Sequence, residues 1–235
     1  MSGKGKLKKF AEITSFPNVL EAFTFENGYL NADAETKVYI KGKWGTDFFD
    51  EDRPISLELA CGKGEYTVGL ARLFPGRNFV GVDIKGNRIW KGARQAIREN
   101  LDNAGFLRSR IEFLSTYFAP DEVAEIWIIF PDPFLRLRDS NRRLTSSEFL
   151  DRYKEVLKDG ALIHLKTDSD ELYEYSLESI SRHPHFEMVT SSADIDQVER
   201  SVELSIRTYY EQQHLAAGKK IKYIRARFRK HPSIK

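Results

Sequence analysis

Four segments set a carboxylate inside or just after a short apolar run: Glu58-Leu-Ala-Cys-Gly-Lys-Gly64, Val82-Asp83, Phe130-Pro-Asp-Pro133 and Lys166-Thr-Asp168. One acid in such a place is an ordinary helix cap. Four are harder to explain that way. Carboxylates gathered at one edge of a fold repel one another unless a cation, a pair of hydroxyls or N–H donors lie among them. Gly62 and Gly64 allow a sharp turn and a close backbone approach to a ligand at the start of a helix. Asp83, 25 residues after Glu58, is placed to hold the hydroxyls of a ribose. The third glycine of a dinucleotide loop is missing, since Gly69 lies too far along. An acid within the apolar run at Glu58 also suits a ligand with a positive end better than a pyrophosphate. S-adenosylmethionine, with its ammonium, sulfonium and ribose, fits this set, and Glu58, Gly62, Gly64 and Asp83 are its expected contacts.

The second chemical segment is the loop from Phe130 to Leu144. Two prolines bracket Asp132 and restrict the backbone that carries it. Phe134 can stack on a base, and Arg136, Arg138, Arg142 and Arg143 can meet phosphates. A merely solvated arginine loop would not need prolines to stiffen its approach to a strand end. Cys61, within the glycine turn, reads as a small packing residue rather than a nucleophile.

The elements that would position these residues alternate. Apolar runs at 55–60, 78–84, 110–114, 125–130 and 161–165 read as strands. Amphipathic stretches carrying Tyr66, Leu70 and Leu73, then Ile89, Trp90, Ala93, Ile97 and Leu101, then Phe149, Leu150, Tyr153 and Leu157, and finally 169–181, read as helices. Alternation of this kind implies an α/β fold with a doubly wound, largely parallel sheet, whose ligands bind at the carboxyl ends of the strands. Residues 1–52 show no strong periodicity and read as a tail and irregular lead-in, with residues 53–235 as one domain. The 235 residues are 41% hydrophobic and 31% charged, as in a globular protein, and no apolar run nears the ~20 residues of a membrane span. One cysteine excludes an internal disulfide and a Cys/His zinc cluster, so no metal is expected and a reducing cytoplasm is. The net charge is only +2, but it is unevenly spread. Lys4, Lys6, Lys8 and Lys9 crowd the start, as a solvated tail or as phosphate contacts. Residues 218–235 hold eight Lys or Arg and no acid, and from 220 to 228 they alternate with apolar residues like a strand with one buried and one basic face.

Glu58-x-x-x-Gly-x-Gly, Phe-Pro-Asp-Pro at 130–133, Arg-Arg-Leu at 142–144, Lys-Thr-Asp at 166–168 and Thr208-Tyr-Tyr-Glu211 occur in the order found in the bacterial tRNA (guanine-N7)-methyltransferases, which this sequence resembles from about residue 55 to 228. The resemblance implies the class I S-adenosylmethionine-dependent methyltransferase fold, a mostly parallel seven-stranded sheet with an antiparallel last pair. It also implies methyl transfer to guanine N7 in the variable loop of tRNA. Glu58, Asp83 and Asp132 then match cofactor-binding acids, Asp132 being also the catalytic residue. Arg136, Asp168, Thr208 and Glu211 match substrate-side positions. Ala60 replaces a glycine, which an extended backbone would tolerate, and Phe134 replaces a tryptophan. Leu137 and Asp139 interrupt a basic run. The acid expected near the adenine has no match in Ser115-Thr-Tyr-Phe118. Two other readings stand beside this one: an exocyclic-amine methyltransferase, whose Asp-Pro-Pro-aromatic loop is not matched by Asp132-Pro-Phe, and a tRNA-binding module without catalysis. The sequence leaves the oligomeric state open.

Overall fold

The computed structural model describes residues 3–22, 28–199 and 201–232. They fall into two compact units, Met1–Ala119 and Pro120–Lys235.

The first unit begins with α1 (Gly3–Ile13), three short strands β1 (Val19–Glu21), β2 (Tyr29–Asn31) and β3 (Lys37–Tyr39), and a π-helical turn at Trp44–Phe48. There follow β4 (Ile55–Leu59), α2 (Glu65–Leu73), β5 (Asn78–Asp83), α3 (Gly86–Arg98), β6 (Ala104–Arg108), a 3-10 turn and α4 (Leu114–Tyr117). The strands lie in the order β3-β2-β1-β6-β5-β4. β4, β5 and β6 are parallel, β1 adds in parallel to β6, and β2 and β3 continue antiparallel. β4 and β5 are buried along their whole length. The lead-in is therefore structured: Ile13, Val19, Leu20, Leu30 and Trp44 are core residues. Its strands are three residues long, too short for a period-two pattern to register.

The third strand also lies elsewhere than the sequence suggests. Residues 104–108 form β6, while 111–113 make a 3-10 turn leading into α4. Ala104 and Gly105 weaken the strand signal, yet glycine is required there, because a Cβ at Gly105 would run into the Phe48 ring. Leu101 lies beyond α3.

The second unit contains β7 (Val123–Ile129), a 3-10 turn at Leu137–Arg142, α5 (Ser147–Tyr153), β8 (Leu157–Thr167), α6 (Asp170–Arg182), β9 (Phe186–Ser192), two 3-10 turns, α7 (Tyr209–Ala216) and β10 (Lys222–Phe228). Its strand order is β7-β8-β10-β9, with β7 and β8 parallel and β10 antiparallel to both neighbours. Ser146 and Ser169 cap α5 and α6 by accepting hydrogen bonds from Phe149 and Leu172 N–H. Leu157 starts β8 rather than closing a helix, and β9 is an edge strand that the sequence pattern does not announce. β4–β6 and β7–β10 supply the seven strands expected, and β1–β3 are additional. β10 does not present an open basic face. It runs between β8 and β9, Lys222 is buried against Asp170, and Arg225 and Arg227 are half-buried.

Candidate active site

In the first unit, β4 ends in a turn that holds its acids close to the backbone. Ala60, Gly62 and Gly64 all have positive φ, at 56°, 56° and 66°. The backbone at Ala60 is thus left-handed and not extended, a conformation that costs an alanine ~1–2 kcal/mol. Gly64 must be glycine for a second reason: a Cβ there would lie 2.5 Å from the Phe106 ring, and α3 approaches closely through Gly92. Glu58 is 5% exposed, and its Oε2 accepts hydrogen bonds from the Thr67 N–H at 2.7 Å and from the Thr67 hydroxyl. Burial pushes the Glu58 carboxyl up to about 8, outweighing the two Thr67 donors that pull it down; Asp83 and Glu65 add smaller upward contributions. Asp83, at the end of β5, accepts from Gly62 N–H at 2.9 Å through Oδ2 and from Lys85 N–H at 2.8 Å through Oδ1. A carboxylate has about four lone-pair sites, so two remain for ribose hydroxyls. Cys61 is buried, and desolvation pushes its thiol up, as befits a packing residue. β6 ends in Arg108, paired with Glu21 at 2.6 Å, and is followed by Ser109 and Arg110, so no acid closes this strand.

In the second unit, Asp132 is exposed on a loop that is held at several points. Phe130 and Phe134, on either side of Pro-Asp-Pro, have φ of 48° and 43°, an uncommon conformation for aromatic residues that surrounding contacts must enforce. Phe130 N–H donates to the Lys166 carbonyl at 2.9 Å, and its ring stacks on His214 at 5.7 Å. Arg143 does not face solvent. It is 5% exposed, donates from Nε to the Pro133 carbonyl at 3.0 Å and from Nη2 to the Phe134 carbonyl at 3.0 Å, and lies 4.3 Å over the Tyr175 ring. It fixes the loop rather than meeting phosphate, which corrects its placement among the phosphate-binding arginines. Arg136 and Arg138 are exposed, and Arg142 covers the Phe134 ring at 4.5 Å.

Beyond β8, Asp168 accepts through Oδ2 from Lys219 at 2.6 Å and lies 3.4 Å from His214 Nδ1. Burial raises its carboxyl, but Lys219 and His214 together outweigh that and hold it below the usual range. Thr208 caps α7, its hydroxyl accepting from Glu211 N–H at 3.2 Å. The Glu211 carboxylate receives the Lys166 ammonium on both oxygens, at 2.8 and 2.7 Å, with both side chains buried. Burial pushes that ammonium down from its usual range against the pull of Glu211. Sequence reasoning missed Thr67, Lys219 and the roles of Lys166 and Arg143. A lysine inside an apolar strand, as Lys166 is, signals a buried acid partner.

A family model described as a putative methyltransferase matches residues 52–224. The tRNA (guanine-N(7)-)-methyltransferase of Christiangramia forsetii is 45% identical over 96% of this chain and 98% of its own length. The chain belongs to the tRNA (guanine-N7)-methyltransferase family. The member from Bacteroides thetaiotaomicron is 45% identical over 96% of this chain and 86% of its own, and that from Porphyromonas gingivalis 50% identical over 79% and 75%. Among solved structures, the 16S rRNA methyltransferase KamB is similar with a TM-score of 0.55 at 16% identity, covering 75% of this chain and 88% of its own. The 16S rRNA (adenine(1408)-N(1))-methyltransferase of Catenulisporales acidiphilia is similar with a TM-score of 0.53 at 16% identity over 79% and 91%. These likenesses carry the fold, and the chain has the class I methyltransferase architecture. The glycine turn after β4, the Pro-Asp-Pro loop after β7 and the Thr208–Glu211 helix start all lie within the residues matched by the family model.

Proposed function

We propose that this protein methylates N7 of a guanine in the variable loop of tRNA with S-adenosylmethionine as donor. The carrying observation is 45% identity over nearly the whole length of relatives so named, joined to a set of acids that suits this cofactor. The buried Glu58 carboxyl is suited to a cation such as an ammonium. Asp83 keeps lone pairs for a ribose, and Gly62 and Gly64 open the backbone beside them. Asp132 is the catalytic residue and a cofactor-binding acid, as its match to the family motif implies. The cofactor supplies an already activated methyl group. Guanine N7 has a lone pair and no proton, so the protein need not generate a nucleophile; its work is positioning and stabilising the positive charge that grows on the purine. A carboxylate on a loop fixed by two prolines and Arg143 suits that work. Asp168 and Glu211 accept from guanine N–H groups, and Thr208 and Arg136 complete the substrate side. Residues 53–235 act as one methyltransferase domain, and a tRNA substrate puts the reaction in the cytoplasm. No helix among the described residues is long and apolar enough to cross a membrane.

Nucleoside mass spectrometry of tRNA incubated with protein and cofactor tests this reading, with 7-methylguanosine as the expected product. Asp132→Asn should keep tRNA binding while kcat falls roughly ten- to a thousandfold, the range for losing one preorganised electrostatic contact. An Asp132→Asn protein with full turnover removes Asp132 from catalysis. A methylated exocyclic amine as the product would replace the guanine N7 reading.

A further inference from the structure

The basic N-terminus is not a solvated tail. α1 is pinned to α3 by Trp90, whose indole N–H donates to Glu12 Oε2 at 3.1 Å, while Lys9 lies 4.4 Å and Arg94 4.9 Å from the centre of its ring. Phe10 lies 4.9 Å beneath the Arg108 guanidinium at the end of β6, and Ile13 is fully buried. This docking sets Lys9 against α3 beside Arg94, with Lys8 exposed next to it and with Lys85, Arg88 and Lys91 exposed at the start of α3 and along it. Lys85, Arg88, Lys91 and Arg94 each stand three residues from the next, in a row that begins just before α3 and winds about half-way round it, so that successive cations are neighbours that repel. Lys85 and Arg88 also sit at the start of α3, which has no acid in its first turn, so they oppose the helix dipole. α1 likewise begins with lysines and no acid. The nearby acids are engaged, Glu12 by Trp90 and Glu65 by Lys91 at 3.2 Å. Folding uses Lys9 and Arg94 on the Trp90 ring and Lys91 on Glu65, whereas a polyanion laid across the exposed Lys8, Lys85 and Arg88 offsets the charge concentrated there.

We infer that the α1–α3 surface binds the phosphate backbone of the tRNA, beside the β5 end that carries Asp83. The inference rests on tRNA being the substrate. Phosphate contacts of this kind position the nucleic acid without reading its sequence. The test uses full-length protein and fluorescence anisotropy with tRNA across a salt series. Lys8→Glu combined with Arg88→Glu should weaken binding at least tenfold at low salt. It should also flatten the slope of log K against log salt by about 1.4–1.8, because two phosphates are no longer neutralised. Cofactor affinity, melting temperature and kcat at saturating tRNA should stay within twofold of wild type. Lys158→Glu, exposed on β8, serves as a control with an unchanged slope. If the glutamate pair lowers the melting temperature, Lys8→Gln with Arg88→Gln should still flatten the slope. A well-folded double variant with wild-type affinity and slope overturns the surface. Wild-type protein that fails to bind tRNA overturns the substrate reading itself.

Discussion

Glu58→Gln tests whether the cofactor turn is built around a carboxyl that stays protonated. The side chain is 5% exposed, and burial lifts it from 4.5 to about 8 against two hydrogen bonds from Thr67. That rise corresponds to about 5 kcal/mol, at ~1.36 kcal/mol for each pH unit. The sign follows from where the proton resides. Between pH 4.5 and 8 the unfolded chain has released it and the folded protein still holds it. The contribution is therefore complete below pH 4.5 and is lost as pH rises to 8. Glutamine keeps the shape and an acceptor for Thr67 but has no proton to exchange. Urea unfolding followed by circular dichroism should show the variant gaining on wild type by about 3–5 kcal/mol between pH 5 and pH 8. Parallel stability profiles for the two proteins would refute the reasoning. The same carboxyl gives a functional readout. An ammonium placed against Glu58 favours its ionised form, so cofactor binding at pH 7 should release about one proton, read by calorimetry in buffers of different ionisation enthalpy.

Two further outcomes concern positions where the structure revised the sequence reading. Arg143→Ala should cost ~1–3 kcal/mol of stability by leaving the Pro133 and Phe134 carbonyls without their donor, and should lower kcat while leaving the salt slope for tRNA unchanged. A flattened slope would return Arg143 to the phosphate-binding set, where Arg136→Ala is expected to lower the slope by about 0.7–0.9. Ala60→Gly should stabilise the protein by roughly 0.5–1 kcal/mol, because relief of the left-handed alanine exceeds the added freedom of glycine in the unfolded chain. A fall in melting temperature would show that the Ala60 methyl packs better than the backbone strain costs.

What the sequence determined by itself is local or chemical in kind. β7 declares itself by the apolar run Ile126–Ile129, and β4 by a short apolar segment interrupted by Ser56 and Glu58. The helices α2 and α6 are marked by apolar spacing, and the motifs that end strands carry family membership with them. Tertiary structure decided whatever depended on a distant neighbour. Gly105 lies in a strand because the Phe48 ring fills the space a side chain would need, so β6 is nearly invisible to strand propensity. β1, β2 and β3 form only by adding to the edge at β6, and segments of three residues have no pattern of their own. Arg143 reads as one more member of an arginine run until Tyr175 and two loop carbonyls enclose it. Glu211 reads only as a substrate-side position of the family motif until Lys166, 45 residues earlier, proves to be its partner. Charge and periodicity are properties of a segment and can be read along the chain, whereas desolvation and pairing are set by what folds over it.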